Sequence, residues 1–73
     1  MTYSKFTLGY WEYDFDIMLA THNTSHEVRR LKIGIDGCML MEDRLEKATV
    51  FIYVRDSINT AYSNYVTDKF LSD

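Results

Sequence analysis

The chain has 73 residues, 47% of them hydrophobic and 15% aromatic, so it is too apolar for a disordered protein and long enough for one domain over residues 1–73. Eleven acidic residues against eight basic ones give a net charge of −3, which argues against general affinity for nucleic acid. No apolar run approaches the roughly 20 residues of a membrane span, and a single cysteine, Cys38, is typical of a reducing compartment. We therefore expect a soluble, cytoplasmic protein.

Alternating apolar residues predict strands in the first part of the chain. Residues 3–10 form one strand, or the first half of a longer strand that bends at Gly9. The alternation is longest and richest in aromatic residues from Trp11 to Leu19, which predicts a strand with one apolar face and one acidic face. Several apolar residues here are also helically spaced, so a helix over residues 13–22 is the alternative.

The middle of the chain predicts a hairpin. Apolar and basic residues alternate over Arg29–Ile35, which indicates a strand. A capping box at residues 24–27 leaves a short helix over residues 24–32 as the alternative. Asp36 and Gly37 then favour a two-residue turn, with Cys38–Met41 as the returning strand.

The last part of the chain predicts a turn, a strand and a helix. Residues 42–47 are charged and are expected to form a turn or a single helical turn. Thr49–Val54 is apolar on both faces, which indicates a buried central strand. From Ile58 to Phe70 apolar residues recur with the period of an amphipathic helix. We expect its apolar residues to pack on the sheet, namely Tyr62, Tyr65, Val66 and Phe70. The predicted fold class is α+β, an antiparallel sheet of about four strands with one C-terminal helix packed on a face.

The apolar faces of two predicted strands also indicate their register. If Trp11–Leu19 pairs antiparallel with Arg29–Ile35, a slip of one residue would turn one apolar face away from the other. We therefore expect Ile17 opposite Leu31. The same register places Tyr13 opposite Ile35, Phe15 opposite Ile33 and Asp16 opposite Lys32.

The residue types that carry catalysis do not form a recognisable pattern. Cys38 has no neighbour in sequence that would activate its thiol, and the three glycines are too scattered for a phosphate-binding loop. His22 and His26 are spaced like two zinc ligands on a helix, but no further Cys or His pair completes a site. We expect a protein that is not an enzyme and that holds no cofactor and no metal.

Acidic and aromatic residues suggest a surface for a partner. Glu12, Asp14 and Asp16 fall on one face of the predicted strand, and Tyr10 and Trp11 lie beside them. Tyr and Trp anchor many protein interfaces, and charges steer association with a partner of the opposite sign. These five residues predict a protein-binding module whose partner presents a basic surface. The alternative is that the acids only keep a strand face solvated.

A basic cluster supports a second function. Arg29, Arg30 and Lys32 could contact nucleic acid in the manner of RNA-binding sheet surfaces, although the net charge makes such a partner the weaker prediction. The alternative is that they neutralise the neighbouring acidic strand. No membrane partner is expected, and a homodimer is compatible with the sequence.

In size and acidity the chain resembles small phage-encoded proteins that block a host machine, such as anti-CRISPR proteins and inhibitors of RNA polymerase. The run Glu12-Tyr13-Asp14-Phe15-Asp16 is the segment that carries the resemblance, which is one of style rather than of motif. It implies a stoichiometric inhibitor that acts by steric block or by mimicry of nucleic acid. The basic cluster interrupts the negative surface and counts against mimicry.

Overall fold

The computed structural model describes residues 4–45 and 48–71, which form a sheet followed by one helix. The elements are β1 (Lys5–Leu8), β2 (Trp11–Asp14), β3 (Leu19–His22), β4 (Val28–Ile33), β5 (Met39–Leu45), β6 (Ala48–Tyr53) and α1 (Asp56–Leu71). The strands lie in chain order, and each is antiparallel to the next. The predicted α+β class, with one antiparallel sheet and a C-terminal helix, is confirmed, but the sheet has six strands instead of about four.

The prediction of one long strand over Trp11–Leu19 is wrong, because the chain reverses in its middle. Residues 15–18 form a turn that joins β2 to β3. The side chain of Asp14 accepts a hydrogen bond from the amide of Asp16 at 3.0 Å, and Met18 has a φ of 55°. An aspartate that bonds the backbone two residues on stabilises such a turn. After the turn, Leu19 lies opposite Asp14 and Ala20 opposite Tyr13, so the apolar alternation of Trp11–Leu19 does not continue on one face.

Gly9 and Tyr10 form the turn between β1 and β2. The chain therefore reverses at Gly9, and it neither continues as one strand to residue 10 nor bends within a longer strand. Leu8 lies opposite Trp11, which leaves two residues in the turn. Gly9 has a φ of 61°, a conformation that glycine adopts without steric cost. The turn therefore projects Tyr10 from one end of the sheet.

The predicted pairing of Trp11–Leu19 with Arg29–Ile35 is also wrong. The reversal at residues 15–18 inserts β3 between β2 and β4, so that Leu19 lies opposite Arg30 and Ala20 opposite Arg29. Ile17 is in the turn and has no strand partner there. A register argued from apolar faces fails when one of the two strands is in fact a hairpin.

The turn at Asp36 and Gly37 lies where it was predicted, although it is longer. The amide of Gly34 donates to Cys38 at 2.8 Å, and three residues lie between them. Gly37 has a φ of 83°, as expected for the last residue of a three-residue hairpin loop. Ile35 belongs to this turn and is exposed, not part of the strand.

The hairpin formed by β5 and β6 differs from the prediction in the extent and the position of its strands. Residues 42–45, expected in a turn, extend β5 instead, and residues 46 and 47 lie outside the described residues. β6 pairs with β5 and is the last strand in the sheet order, so the expectation of a central strand at Thr49–Val54 is wrong. Neither of the alternative helices, over residues 13–22 and 24–32, is present.

The helix α1 covers one face of the sheet, here called the helix-side face; the other is called the open face. Buried residues of the sheet and the helix form the core: Tyr13, Phe15, Ala20, Leu31, Met39, Met41, Ile58 and Tyr65. Tyr62 and Val66 pack against this core as predicted, but Phe70, near the end of α1, is 78% exposed, so its predicted packing on the sheet is wrong. Within residues 4–45 and 48–71, no helix is long and apolar enough to cross a membrane.

Candidate protein-binding surface

The aromatic rings of Tyr10 and Trp11, at the β1–β2 turn, both contact the imidazole of His22. Trp11 lies opposite His22 in the β2–β3 pairing, and the two rings meet edge-on at 4.9 Å. Tyr10 stacks on the same imidazole at 5.7 Å with 20° between the planes, although its side chain is 68% exposed. Such aromatic contacts contribute about 0.5–1.5 kcal/mol beyond the area they bury. An exposed tyrosine is thereby held in one orientation.

The imidazole of His22 is itself fixed by the loop that follows β3. Its Nδ1 accepts hydrogen bonds from the amides of Thr24 and Ser25 at 3.3 and 3.2 Å. In the sequence His22 stands out only by its spacing from His26, and its contact with Trp11 exists because the hairpin places the two residues opposite each other.

Trp11 also contacts Arg29, which lies on β4. The guanidinium lies 4.8 Å from the ring centroid and donates to Asp43 at 3.0 Å and to Glu27 at 3.3 Å. Arg29 and Asp43 continue the β4–β5 register, so they oppose each other on the helix-side face. A cation over a tryptophan face is attracted by the ring quadrupole. The indole is therefore pre-oriented by two neighbouring strands.

A groove opens beside these rings, between the β1–β2 turn and the junction of β6 with α1. Its volume is about 310 Å³. The described residues that line it are mainly apolar or aromatic: Leu8, Gly9, Tyr10, Trp11, Tyr13, Met41, Tyr53, Val54, Arg55 and Ile58. Arg55 is the charged member of this set. Burial raises the pKa of the Tyr13 hydroxyl, and the charge of Arg55 partly offsets that rise.

Tyr53 also lines the groove, but its side chain lies on the open face and is anchored there at its hydroxyl. The hydroxyl donates to Asp36 at 3.0 Å, while the ring is 67% exposed. This hydrogen bond raises the pKa of Tyr53. A hydrogen bond from the amide of Cys38, and then the one from Tyr53, lower the pKa of Asp36. Sequence reasoning missed Tyr53 and Arg55 because they lie more than forty residues along the chain from Tyr10.

The three predicted acids do not form one stripe. Glu12 and Asp14 lie on the open face, whereas Trp11 points to the helix-side face. The carboxylate of Glu12 is 4.0 Å from the ammonium of Lys5, which lies directly opposite Asp14. The five predicted residues are therefore divided: Tyr10 and Trp11 meet at the groove, Glu12 and Asp14 share the open face, and Asp16 lies apart from both pairs.

Asp16 lies in the β2–β3 turn and bonds the helix. The hydroxyl of Tyr65 donates to Asp16, and this hydrogen bond is the main reason why the pKa of Asp16 is lowered. Smaller contributions come from Ser4 and from the charge of Lys69. The same contact raises the pKa of Tyr65. Asp16 thus connects the turn to α1, a structural role that the alternating pattern did not indicate.

The three residues of the basic cluster, Arg29, Arg30 and Lys32, do not lie on one face of the sheet. Arg29 lies on the helix-side face, whereas Arg30 and Lys32 lie on the open face. Arg30 donates to the buried carboxylate of Glu42 at 2.7 Å, and this hydrogen bond raises the pKa of Arg30. The ammonium of Lys32 lies 4.1 Å from the ring centroid of Phe51. The structure therefore brings Arg30 and Lys32 together beside Phe51 and separates them from Arg29.

The described residues hold no group of three or more His, Cys, Asp and Glu side chains placed to bind a metal ion. Cys38 is a half-buried free thiol next to the β4–β5 turn. Comparison of the chain with protein-family models, curated proteins and solved structures found no match.

Proposed function

We propose that this chain is a protein-binding module and that its contact surface is the groove bordered by Tyr10 and Trp11. The observation that carries the proposal is an exposed Tyr10 held rigid against His22 at the edge of an apolar cavity. Rigid aromatic side chains are favoured anchors because binding costs them little conformational entropy. A groove of about 310 Å³ is large enough to take one side chain of a partner.

The lining of the groove suggests the chemistry of the partner. Apolar and aromatic walls fit an aliphatic or aromatic side chain, and Arg55 at the rim fits an adjacent carboxylate or carbonyl oxygen. Glu12 and Asp14 lie on the opposite face, and Lys5 partly neutralises them. The aromatics therefore support this function more than the acids do, and a basic partner surface is a secondary element of the proposal.

The mode of action that we infer is occupancy of a partner's surface. A domain of this size covers only a small area, so it would act stoichiometrically, by blocking a site that a larger protein uses. This is the action implied by the resemblance to small phage-encoded inhibitors. It requires a stable contact, which the pre-oriented Tyr10 and Trp11 favour through slow dissociation.

Site-specific photocrosslinking in cells that express the chain tests this function. A photoreactive phenylalanine analogue is placed at position 10 in one variant and at position 70 in another, because Tyr10 and Phe70 are similarly exposed at 68% and 78%. We expect a protein adduct from position 10. Tyr10→Ala should then weaken binding of the purified partner by roughly tenfold or more, as for an interface anchor. An adduct from position 70 alone would place the contact beside the helix end and refute the groove.

A second candidate function is nucleic-acid binding on the open face. The observation that favours it is Lys32 above Phe51, with the exposed ring of Tyr53 on the same strand. Aromatic rings on an uncovered sheet face can stack unpaired bases. Fluorescence anisotropy with a labelled single-stranded oligonucleotide tests it. Binding that weakens in Lys32→Ala and with rising salt would support this candidate, and no binding at low salt would exclude it.

A further inference from the structure

The strand β6 is an edge strand with the composition of an interior strand. It runs from Ala48 to Tyr53 and carries no charged residue. Ile52 is 42% exposed and Tyr53 is 67% exposed, on opposite faces of the sheet. Edge strands usually carry a charge, a proline or a bulge that prevents further pairing. Residues 48–53 contain neither charge nor proline, and the β5–β6 register is continuous across all six residues.

The hydrogen-bond pattern shows which main-chain groups of β6 face outward. The amide of Val54 donates to Met39, so this residue faces β5. In an antiparallel pair, successive residues alternate between facing the partner strand and facing away from it. Thr49, Phe51 and Tyr53 therefore direct their amides and carbonyls away from the sheet. These groups can be satisfied by another extended strand.

The opposite edge of the sheet provides a contrast. The amide of Phe15 donates to the carbonyl of Ser4 at 2.7 Å, so by the same alternation Lys5 and Thr7 direct their main-chain groups outward. Lys5 places a charge on this edge, within 4.0 Å of Glu12. β1 also has only four residues. A lysine and a short length are both features that keep an edge from pairing.

We propose that two copies of this chain form a dimer by antiparallel pairing of their β6 strands, with the two-fold axis at Phe51. A strand without charge pairs with its own copy without placing like charges opposite each other, which would destabilise the pair. The two-fold symmetry sets Phe51 opposite Phe51 and Thr49 opposite Tyr53 of the second copy. Both pairs consist of residues whose main-chain groups face outward, so each can exchange hydrogen bonds.

The same register also matches the side chains. Val50 lies opposite Ile52 of the second copy on the helix-side face, so two β-branched residues replace water around the exposed Ile52. On the open face, the exposed ring of Tyr53 packs beside Thr49 of the second copy. The two sheets thereby join into one continuous antiparallel sheet.

The oligomeric state of the full chain tests this inference. Sedimentation equilibrium from low to high micromolar concentration should show a mass that rises from monomer to dimer. Thr49→Pro removes one outward donor while leaving the bonds to β5, and the two-fold pair loses that donor twice, so dimerisation should weaken by about tenfold or more. Thr7→Pro makes the same change on the outward side of β1 and should leave the dimer unchanged. A monomer at every concentration overturns the proposal and leaves β6 free for a strand from another protein.

Amide hydrogen exchange gives a test that needs no variant. The amides of Thr49, Phe51 and Tyr53 should become more protected as the concentration of the chain rises, whereas those of Lys5 and Thr7 should exchange rapidly at every concentration. If the β6 amides exchange as fast as the β1 amides in a sample that sedimentation shows to be dimeric, the dimer uses another surface and this pairing is refuted.

Discussion

Phe15 and Phe70 have the same side chain but opposite environments. Phe15 is 4% exposed and packs edge-on against Tyr62 at 5.4 Å, while Phe70 is 78% exposed near the end of α1. The helical period places Phe70 on the apolar side of α1, but its side chain is left mostly exposed. The energetic value of an apolar residue therefore depends on what lies opposite, which periodicity alone does not give.

A pair of alanine substitutions measures this difference. Phe15→Ala should lower the free energy of unfolding by about 3–5 kcal/mol, because it removes a buried aromatic ring and leaves a cavity. Phe70→Ala should change it by less than about 0.5 kcal/mol, as for an exposed site. Urea denaturation of the two variants gives both values, and equal destabilisation would show that Phe70 is buried in solution.

The hydrogen bond from Tyr65 to Asp16 should make the free energy of unfolding depend on pH. The fold lowers the pKa of Asp16 from its ordinary value of 3.8, mainly through the hydroxyl of Tyr65. A carboxyl whose pKa is lower in the folded state contributes stability above the unfolded pKa, and loses it as the pH falls through the folded value. The contribution is therefore complete at neutral pH and declines below about pH 4.

Tyr65→Phe should remove this contribution. We expect the difference in urea midpoint between the parent chain and Tyr65→Phe to be largest near pH 7 and to shrink as the pH falls below about 4. Tyr62→Phe, on the same helix, is the control and should show a difference that does not vary with pH in this range. A constant difference for Tyr65→Phe would mean that Asp16 is not its partner in solution.

At the scale of elements, a side chain of α1 accepts a hydrogen bond from the main chain of β5 at the point where β6 ends. Val54 donates to Met39 at the last position of the β5–β6 pairing, and the chain then turns into α1. The amide of Met39 would be left without a strand partner, and the side chain of Asn59 accepts its hydrogen bond at 2.7 Å. Because Met39 is fully buried, water cannot replace that acceptor. Asn59 thus fixes the helix against the sheet.

Asn59→Ala should therefore cost about 1–3 kcal/mol, the range for leaving a buried donor unsatisfied. Asn64→Ala removes the same side chain from an exposed position of α1 and should change stability by less than about 0.5 kcal/mol. Chemical denaturation of both variants checks the prediction. Similar values for the two would indicate that the helix does not depend on this contact.

At the scale of the whole molecule, the sheet is a simple meander. Each strand pairs with its neighbour in sequence, and the helix is the last element along the chain. Most pairings therefore close short loops, which costs little entropy before contacts form. The contacts of α1 with Phe15 and Asp16 join residues 47 and 49 positions apart, and they require the sheet to be formed.

This topology and composition predict the folding kinetics. Refolding should follow a single exponential on the order of milliseconds, in the range of mixed α/β domains with local pairing. The chain contains no proline, so no phase of tens of seconds from proline isomerisation should appear. Stopped-flow fluorescence of the single tryptophan, Trp11, measures both. A slow phase that depends on protein concentration would instead report assembly, and would point to the β6 pairing.

The sequence by itself determined that the chain forms antiparallel strands followed by one C-terminal helix, and where the turn at Asp36 and Gly37 lies. Alternation in Trp11–Leu19, the glycine at Gly37 and the helical period after Ile58 are local signals, because side-chain direction and turn conformation depend on near neighbours. These signals predicted the α+β class and a C-terminal helix, and they picked out Tyr10 and Trp11, which border the groove.

Only the tertiary structure decided where the chain reverses and which faces meet. The turn at residues 15–18 has no glycine or proline to mark it, and it depends on Phe15 entering the core beneath α1. That one reversal inserted β3, separated Asp16 from Glu12 and Asp14, and placed His22 beside Trp11. Tyr53 and Arg55 joined the groove because the sheet brings distant strands together. Contacts between residues far apart in sequence are set by packing of the whole chain, which a local pattern cannot encode.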